Sequence, residues 1–320
     1  MARVKLRNSG IGKQQANALH SRPLLHRLDG SVFSYSPMFA DGTTYVDVAT
    51  GPYTYQFFQI GIESTAGEIV GETYGQNGKH WVKTAFLDKY VKSVALEING
   101  NVERKKTMTH FVHLNEFMGY NGTDGFVYEV FGGPNEFVSE DHEDAYMLGT
   151  KNIRSLRVLF EMTADWVSAG MKVTMLAEYV PIDRSVSFLR TQSMRTYHLS
   201  GAGEYSFSDL PTHADVARIL VFGSPLGDVT LNIDGIDFMT GNSREIHAAH
   251  NAYGRDYDAL GAGVFFDLWR GREATKGLRA LRTAEQAKRN AEIRLTVESL
   301  AADVELQVLI ENCGPIGTQR

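Results

Sequence analysis

Val94-Ala95-Leu96-Glu97-Ile98-Asn99-Gly100 alternates apolar and polar residues and closes on Asn-Gly, the pattern of a half-buried strand entering a tight turn. Val229-Thr230-Leu231-Asn232-Ile233-Asp234-Gly235 repeats it 135 positions later, and both copies run on into a polar stretch with helical spacing. If the match extends beyond these residues, the chain must fold as two related units. Thr44-Tyr45, Gly51, Tyr53 and Tyr55 align with Thr196-Tyr197, Gly203, Tyr205 and Phe207 at an offset of 152. The two offsets differ by 17, and an insertion at the glycine-rich segment 61–77 reconciles them. Leu156, Val158, Phe160 and Met162 alternate, followed after a turn near Ala169-Gly170 by Val173, Met175, Ala177 and Tyr179. Ile293, Leu295 and Val297 are likewise followed by Val304, Leu306, Val308 and Ile310. Each copy is expected to end in an antiparallel pair of strands.

These matches place the first copy at 43–181 with its insertion at 61–77, a linker at 182–193, the second copy at 194–314 and a short tail at 315–320. Short alternating strands with turn signals, in two units of this size, predict an all-β chain of two tandem β-sandwiches. The composition agrees: 14 Tyr, 17 Phe and 31 Gly in 320 residues favour strands and turns over long helices. Two short helices are expected after the duplicated turns. One has Met108, Phe111, Leu114 and Phe117-Met118 at helical spacing; the weaker one has Ile246, Ala249 and Tyr253. A third is expected over 274–291. In a jelly roll such helices sit in the loops and cover an end of the sandwich.

The first 42 residues read as a basic arm. Arg3, Lys5, Arg7, Lys13, Arg22 and Arg27 precede the first acid, Asp29, although the whole chain carries −6. Such a tail is either without fixed structure or docks on a membrane surface, nucleic acid or a neighbouring subunit. Cys313 is the sole cysteine, so no intramolecular disulfide is possible. No apolar segment resembles a signal peptide or reaches membrane-spanning length, and a soluble protein of a reducing compartment is expected.

Four constellations could carry chemistry. His110/His113 and His247/His250 form H-x-x-H pairs at nearly equivalent places; on a helix each pair could share a metal, but polar helix-face positions are favoured. Glu140, Asp141, Glu143 and Asp144 could bind calcium at an interface, against a solvated charged loop. Arg270, Arg272, Lys276, Arg279, Arg282, Lys288 and Arg289 could face nucleic acid, but without aromatic interleaving a helix face or inter-subunit contact is preferred. Enzyme signatures are missing: there is no G-x-S-x-G, P-loop or G-x-G-x-x-G. Carboxylate pairs for glycoside hydrolysis need no fixed spacing and stay open. The expectation is a non-enzyme with no cofactor beyond candidate calcium.

The order of several segments resembles the major capsid proteins of membrane-containing bacteriophages, of the corticovirus type. They are Tyr90 to Gly100 with Leu114-Asn115-Glu116, Met147-Leu148-Gly149-Thr150, Met194-Arg195, Asp209-Leu210-Pro211, Ile233-Asp234-Gly235 and Val308 to Glu311. The resemblance covers roughly 43–313. It implies two tandem jelly rolls, a trimer that forms a pseudo-hexagonal capsomer, and an icosahedral virion shell over an internal membrane. It further implies an inward-facing arm, and from their charge Arg3, Lys5, Arg7 and Lys13 are expected to contact anionic lipid head groups beneath the shell. Penton and minor membrane-associated proteins would be partners, no specific nucleic-acid contact is implied, and synthesis would take place in the host bacterial cytoplasm. Calcium occurs in some relatives, but the resemblance assigns no ligands here. The alternative is a double sandwich that binds a receptor or glycan without building a shell.

Overall fold

The structure is a computed structural model. It describes residues 24–28, 43–64, 73–76, 79–120, 125–131, 147–165, 171–180, 183, 188–210, 216–252, 263–268 and 291–315. Two compact units emerge, Met1–Asn115 with Tyr120–Leu189 and Pro315–Arg320, and Glu116–Gly119 with Arg190–Gly314. No helix among the described residues is long and apolar enough to cross a membrane.

Among the described residues, the first unit has eight principal strands: β1 (Leu24–Leu28), β2 (Thr43–Val48), β3 (Thr54–Ser64), β6 (Val91–Ile98), β7 (Asn101–Thr107), β8 (Phe126–Val130), β10 (Leu156–Met162) and β11 (Met171–Val180). One sheet runs β1-β11-β3 with β8 also on β3, the other β2-β10-β6-β7. Three short strands are added to β3's sheet: the hairpin β4 (Thr73–Gln76) and β5 (Lys79–Val82), and β9 (Leu148–Gly149). The second unit repeats the plan with β12 (Phe188–Leu199), β13 (Gly203–Phe207), β14 (Val216–Phe222), β15 (Leu226–Ile233), β16 (Ile236–Gly241), β17 (Gly263–Asp267), β18 (Ile293–Ser299) and β19 (Val304–Pro315). Its sheets are β12-β19-β14-β17 and β13-β18-β15-β16. Counting principal strands within each unit, both read 1-8-3-6 and 2-7-4-5, which is the jelly-roll order. The fold is all-β, two tandem jelly rolls with short helices between strands.

Burial follows the pleat. In β10, Leu156, Val158, Phe160 and Met162 point into the core, and in β18 Ile293, Leu295 and Val297 do the same. Each buried side chain of this size contributes about 1.5–3 kcal/mol. β14 is buried at every position, so both its faces are covered.

Several expectations need correction. The last two strands of each copy do not pair: β10 lies between β2 and β6 while β11 lies between β1 and β3, and β18 and β19 are split in the same way. Alternation reveals a strand but not its partner, and a jelly roll sends successive strands to opposite sheets. The match at offset 152 is also not structural. Val46 pairs with Val158 and Phe207 pairs with Leu295, so β2 corresponds to β13 at an offset of 161. The extra residues of the first copy lie between β3 and β6 and include the β4–β5 hairpin, whereas Gly61 is inside β3. Leu24–Leu28, inside the span read as arm, pairs with β11, and β12 begins at Phe188, inside the span read as linker. Of the helix expected over 274–291 only Ala291 is among the described residues, and it is not helical; the turn at Ala169-Gly170 lies outside them.

Candidate functional site

The duplicated turns are the same object. Asn99 and Gly100 have φ of 53° and 84°, Asp234 and Gly235 of 52° and 85°. Positive φ at both central residues is the two-residue hairpin turn that matches strand twist, and Asn-Gly and Asp-Gly adopt it at little cost. Each turn is also tied to the strand beside it. Asn99 N–H donates to Ser155 O (2.9 Å), and its Oδ1 accepts from Arg154 N (2.7 Å) and Ser155 N (3.2 Å). Asp234 N–H donates to Glu292 O (2.8 Å), and its Oδ1 accepts from Glu292 N (2.9 Å). The side chain therefore sets the twist and also fixes where β10 or β18 begins.

A helix follows each hairpin and closes an edge. After α1 (Leu87–Tyr90), the first such helix is α2 (Met108–Phe117), of which Met108–Asn115 belong to the first unit, and the second unit's is α3 (Ser243–Asn251). On α2, Asn115 Oδ1 accepts from Tyr128 N (2.5 Å) and its Nδ2 donates to Tyr128 O (2.9 Å), satisfying β8 beyond its pairing with β3. On α3, His247 Nε2 accepts from Phe265 N and His250 Nε2 from Asp267 N, both at 3.3 Å, on the β17 side that does not face β14. Side chains three apart on a helix are about 5–6 Å apart, and alternate strand residues about 6.7 Å, so the two periods meet. An unpaired strand edge is open to association with another chain; here side chains occupy it. At the offset of 135, Asn115 falls on His250.

This resolves the histidine pairs. His247 and His250 are buried at 3 % and 1 % exposure with Nε2 engaged by backbone donors, so the pair is a structural cap. The inward stripe of α3 is Ile246, His247 and His250; the expected Ala249 is exposed. Burial, then the neighbouring His250, pushes the His247 imidazole down to about 4, so it is neutral at pH 7. Ser243 Oγ lies 3.4 Å from His247 Nδ1, but it donates to Gly263 O (2.8 Å). With Nε2 accepting, Nδ1 carries the proton, so this imidazole cannot act as a base towards the serine. His110 and His113 are not equivalent to the second pair; the same offset places them on Glu245 and Ala248.

Two buried ionic clusters stand where no site was expected. In the first unit Arg104 Nη1 lies 2.6 Å from Glu129 Oε1, and Lys106 Nζ donates to Glu129 Oε2 at 2.7 Å. All three are at most 3 % exposed, and the cluster joins β7 of one sheet to β8 of the other. In the second unit Arg218, fully buried, donates to Glu311 Oε1 (2.7 Å) and has Asp267 Oδ1 3.5 Å from its Nε. These sit side by side on β19, β14 and β17. A sequence signal existed: Arg218 and Glu311 are lone charges in apolar runs, which burial permits only with partners. Their mutual pairing could not be read without the register.

Arg3, Lys5, Arg7 and Lys13, the acids Glu140, Asp141, Glu143 and Asp144, and the basic series from Arg270 to Arg289 lie outside the described residues. Among the described residues, no group of three or more His, Cys, Asp or Glu is arranged to hold a metal.

No protein-family profile matches the sequence, and no curated protein matches it. Solved structures do resemble it. The major capsid protein P2 from Bacteriophage PM2 aligns with a TM-score of 0.69 at 16% identity, over 92% of this chain and 98% of that one. A chain from the atomic structure of Sulfolobus Turreted Icosahedral Virus gives 0.57 at 9% identity, over 86% and 87%. A chain of the PBCV-1 virus capsid gives 0.54 at 9% identity, over 91% and 92%. At these identities the shared property is the double jelly-roll fold.

Proposed function

We propose that the chain is a major capsid protein that acts by assembly rather than catalysis. Two jelly rolls of one topology in a single chain carry this reading, because three copies supply six similar units and can fill a six-sided lattice position. One solved structure with this double arrangement is a major capsid protein and another is a chain of a virus capsid, which supports it. In this proposal the trimer is the capsomer, the lattice is an icosahedral bacteriophage shell over an internal membrane, and the contacts between copies do the work. Edge closure by α2 and α3 suits such a role, since an open edge would compete with lattice contacts by pairing with other chains.

The basic arm extends the proposal: Arg3, Lys5, Arg7 and Lys13 meet anionic lipid head groups, at about 1 kcal/mol per basic residue near the surface. Such attachment is reversible. Size-exclusion chromatography with light scattering tests the first part. The expected species has three times the 35.6 kDa chain mass and yields shell-like particles in negative stain. A monomer that forms no particles and binds glycans would replace this reading with the receptor- or glycan-binding one. Co-sedimentation with anionic vesicles tests the arm; equal binding after deletion of residues 1–20 would remove it from the mechanism.

A further inference from the structure

We propose that α3 is an acid-operated latch on the edge of β17, present in the second jelly roll and absent from the first. The latch depends on the lone pairs of two rings. Phe265 and Asp267 donate their backbone N–H groups to Nε2 of His247 and His250. A protonated imidazole has no lone pair and carries N–H on both nitrogens, so each hydrogen bond becomes a donor facing a donor. Two buried amides then lose their acceptors together, and two cations are created in the same buried patch. The first unit does the same job with Asn115, whose amide does not titrate in this range. One molecule thus contains both a titrating latch and a non-titrating one.

The surrounding charges do not cancel the effect. On the elements packed against α3, the titratable groups are Asp267 on β17, Asp237 on β16 and Asp228 on β15; α3 itself carries Arg244 and Glu245. Asp267 lies towards Arg218, and Asp237 accepts from Asn232 Nδ2 at 2.8 Å. Glu245 caps the helix start through the Asn242 N–H (3.1 Å). Arg218 and Glu311 are paired with each other on the neighbouring strands, and Glu116 is the one charged residue of the 116–119 segment. Phe117 of that segment packs edge-on against His250 with ring centres 5.8 Å apart, which adds apolar cover.

The two protonation states set the direction of the pH dependence. An exposed His247 titrates near 6.5 and the closed one at about 4. Between those values the open state binds more protons, so closure is at full strength above 6.5 and weakens as pH falls towards 4. A shift of this size at His247, part of which comes from His250, raises opening by about tenfold or more at pH 4.5.

Hydrogen–deuterium exchange on the full-length protein, corrected for intrinsic rates, tests the latch at pH 7.5 and 4.5. The expected result is a loss of protection of about tenfold or more at Phe265 and Asp267. Protection at Tyr128, held by Asn115, should change by less than about threefold. In the double variant His247→Gln, His250→Asn, which gives the second unit the first unit's chemistry, the β17 amides should stay protected at pH 4.5. Equal changes at β8 and β17 in the unmodified protein would overturn the latch, and so would acid opening of β17 that persists in the double variant. The comparison of the two edges within the unmodified protein decides the matter even if the variant fails to fold.

Discussion

Replacing Glu129 by Gln preserves its shape and removes its charge, leaving Arg104 and Lys106 buried together. Both cations lie within 2.7 Å of the carboxylate, and none of the three residues is more than 3 % exposed. At an effective dielectric of about 20, each contact carries about 6 kcal/mol of attraction before desolvation. Desolvation consumes much of that, and deleting one member of a buried ionic group costs about 3–5 kcal/mol net. For a unit of this size the corresponding fall in Tm is about 10 °C. Differential scanning calorimetry at fixed protein concentration reads it directly. The companion is the triple variant Arg104→Met, Lys106→Met, Glu129→Leu, which removes every charge at once. Methionine keeps apolar contact with Phe111 and Phe131, whose rings lie under Lys106 and Arg104. The triple variant should fall within about 2 kcal/mol of the parent. Loss of less than about 1 kcal/mol in Glu129→Gln would refute the view of a tightly coupled buried cluster. So would a triple variant as unstable as the single one.

Three further outcomes are expected. Arg218→Met should destabilise the second unit by about 3–5 kcal/mol in urea titration, because Asp267 and Glu311 stay buried without their cation. Gly263→Ala should cost about 2–4 kcal/mol, since a Cβ there would sit 2.1 Å from Val221 O at a φ of +149°; thermal melting measures this. Asn99→Ala and Asp234→Ala should each cost about 1–2 kcal/mol in the same melts, through the positive φ and the lost anchor to β10 or β18.

The all-β class, the duplication, the paired turns and the first helix were legible in the sequence, because each depends on residues near one another in the chain. Apolar alternation marks a strand face, and Asn-Gly and Asp-Gly mark a turn that needs positive φ at both central positions. The choice of partner for each strand was decided only by tertiary structure. Alternation is the same whether β10 pairs with β11 or with β2 and β6, which is why an apparent terminal hairpin became two strands in opposite sheets. A short aromatic match misled for the same reason, aligning residues of like type in strands that are not equivalent. The buried clusters were hidden in the same way. Arg218 meets Glu311 across 93 residues, and that meeting depends on register. The histidines show the division most clearly. Their spacing predicted a shared helix face, but only the edge of β17 determined what that face would meet: two backbone N–H groups that need acceptors, a need that neutral imidazoles can fill and protonated ones cannot.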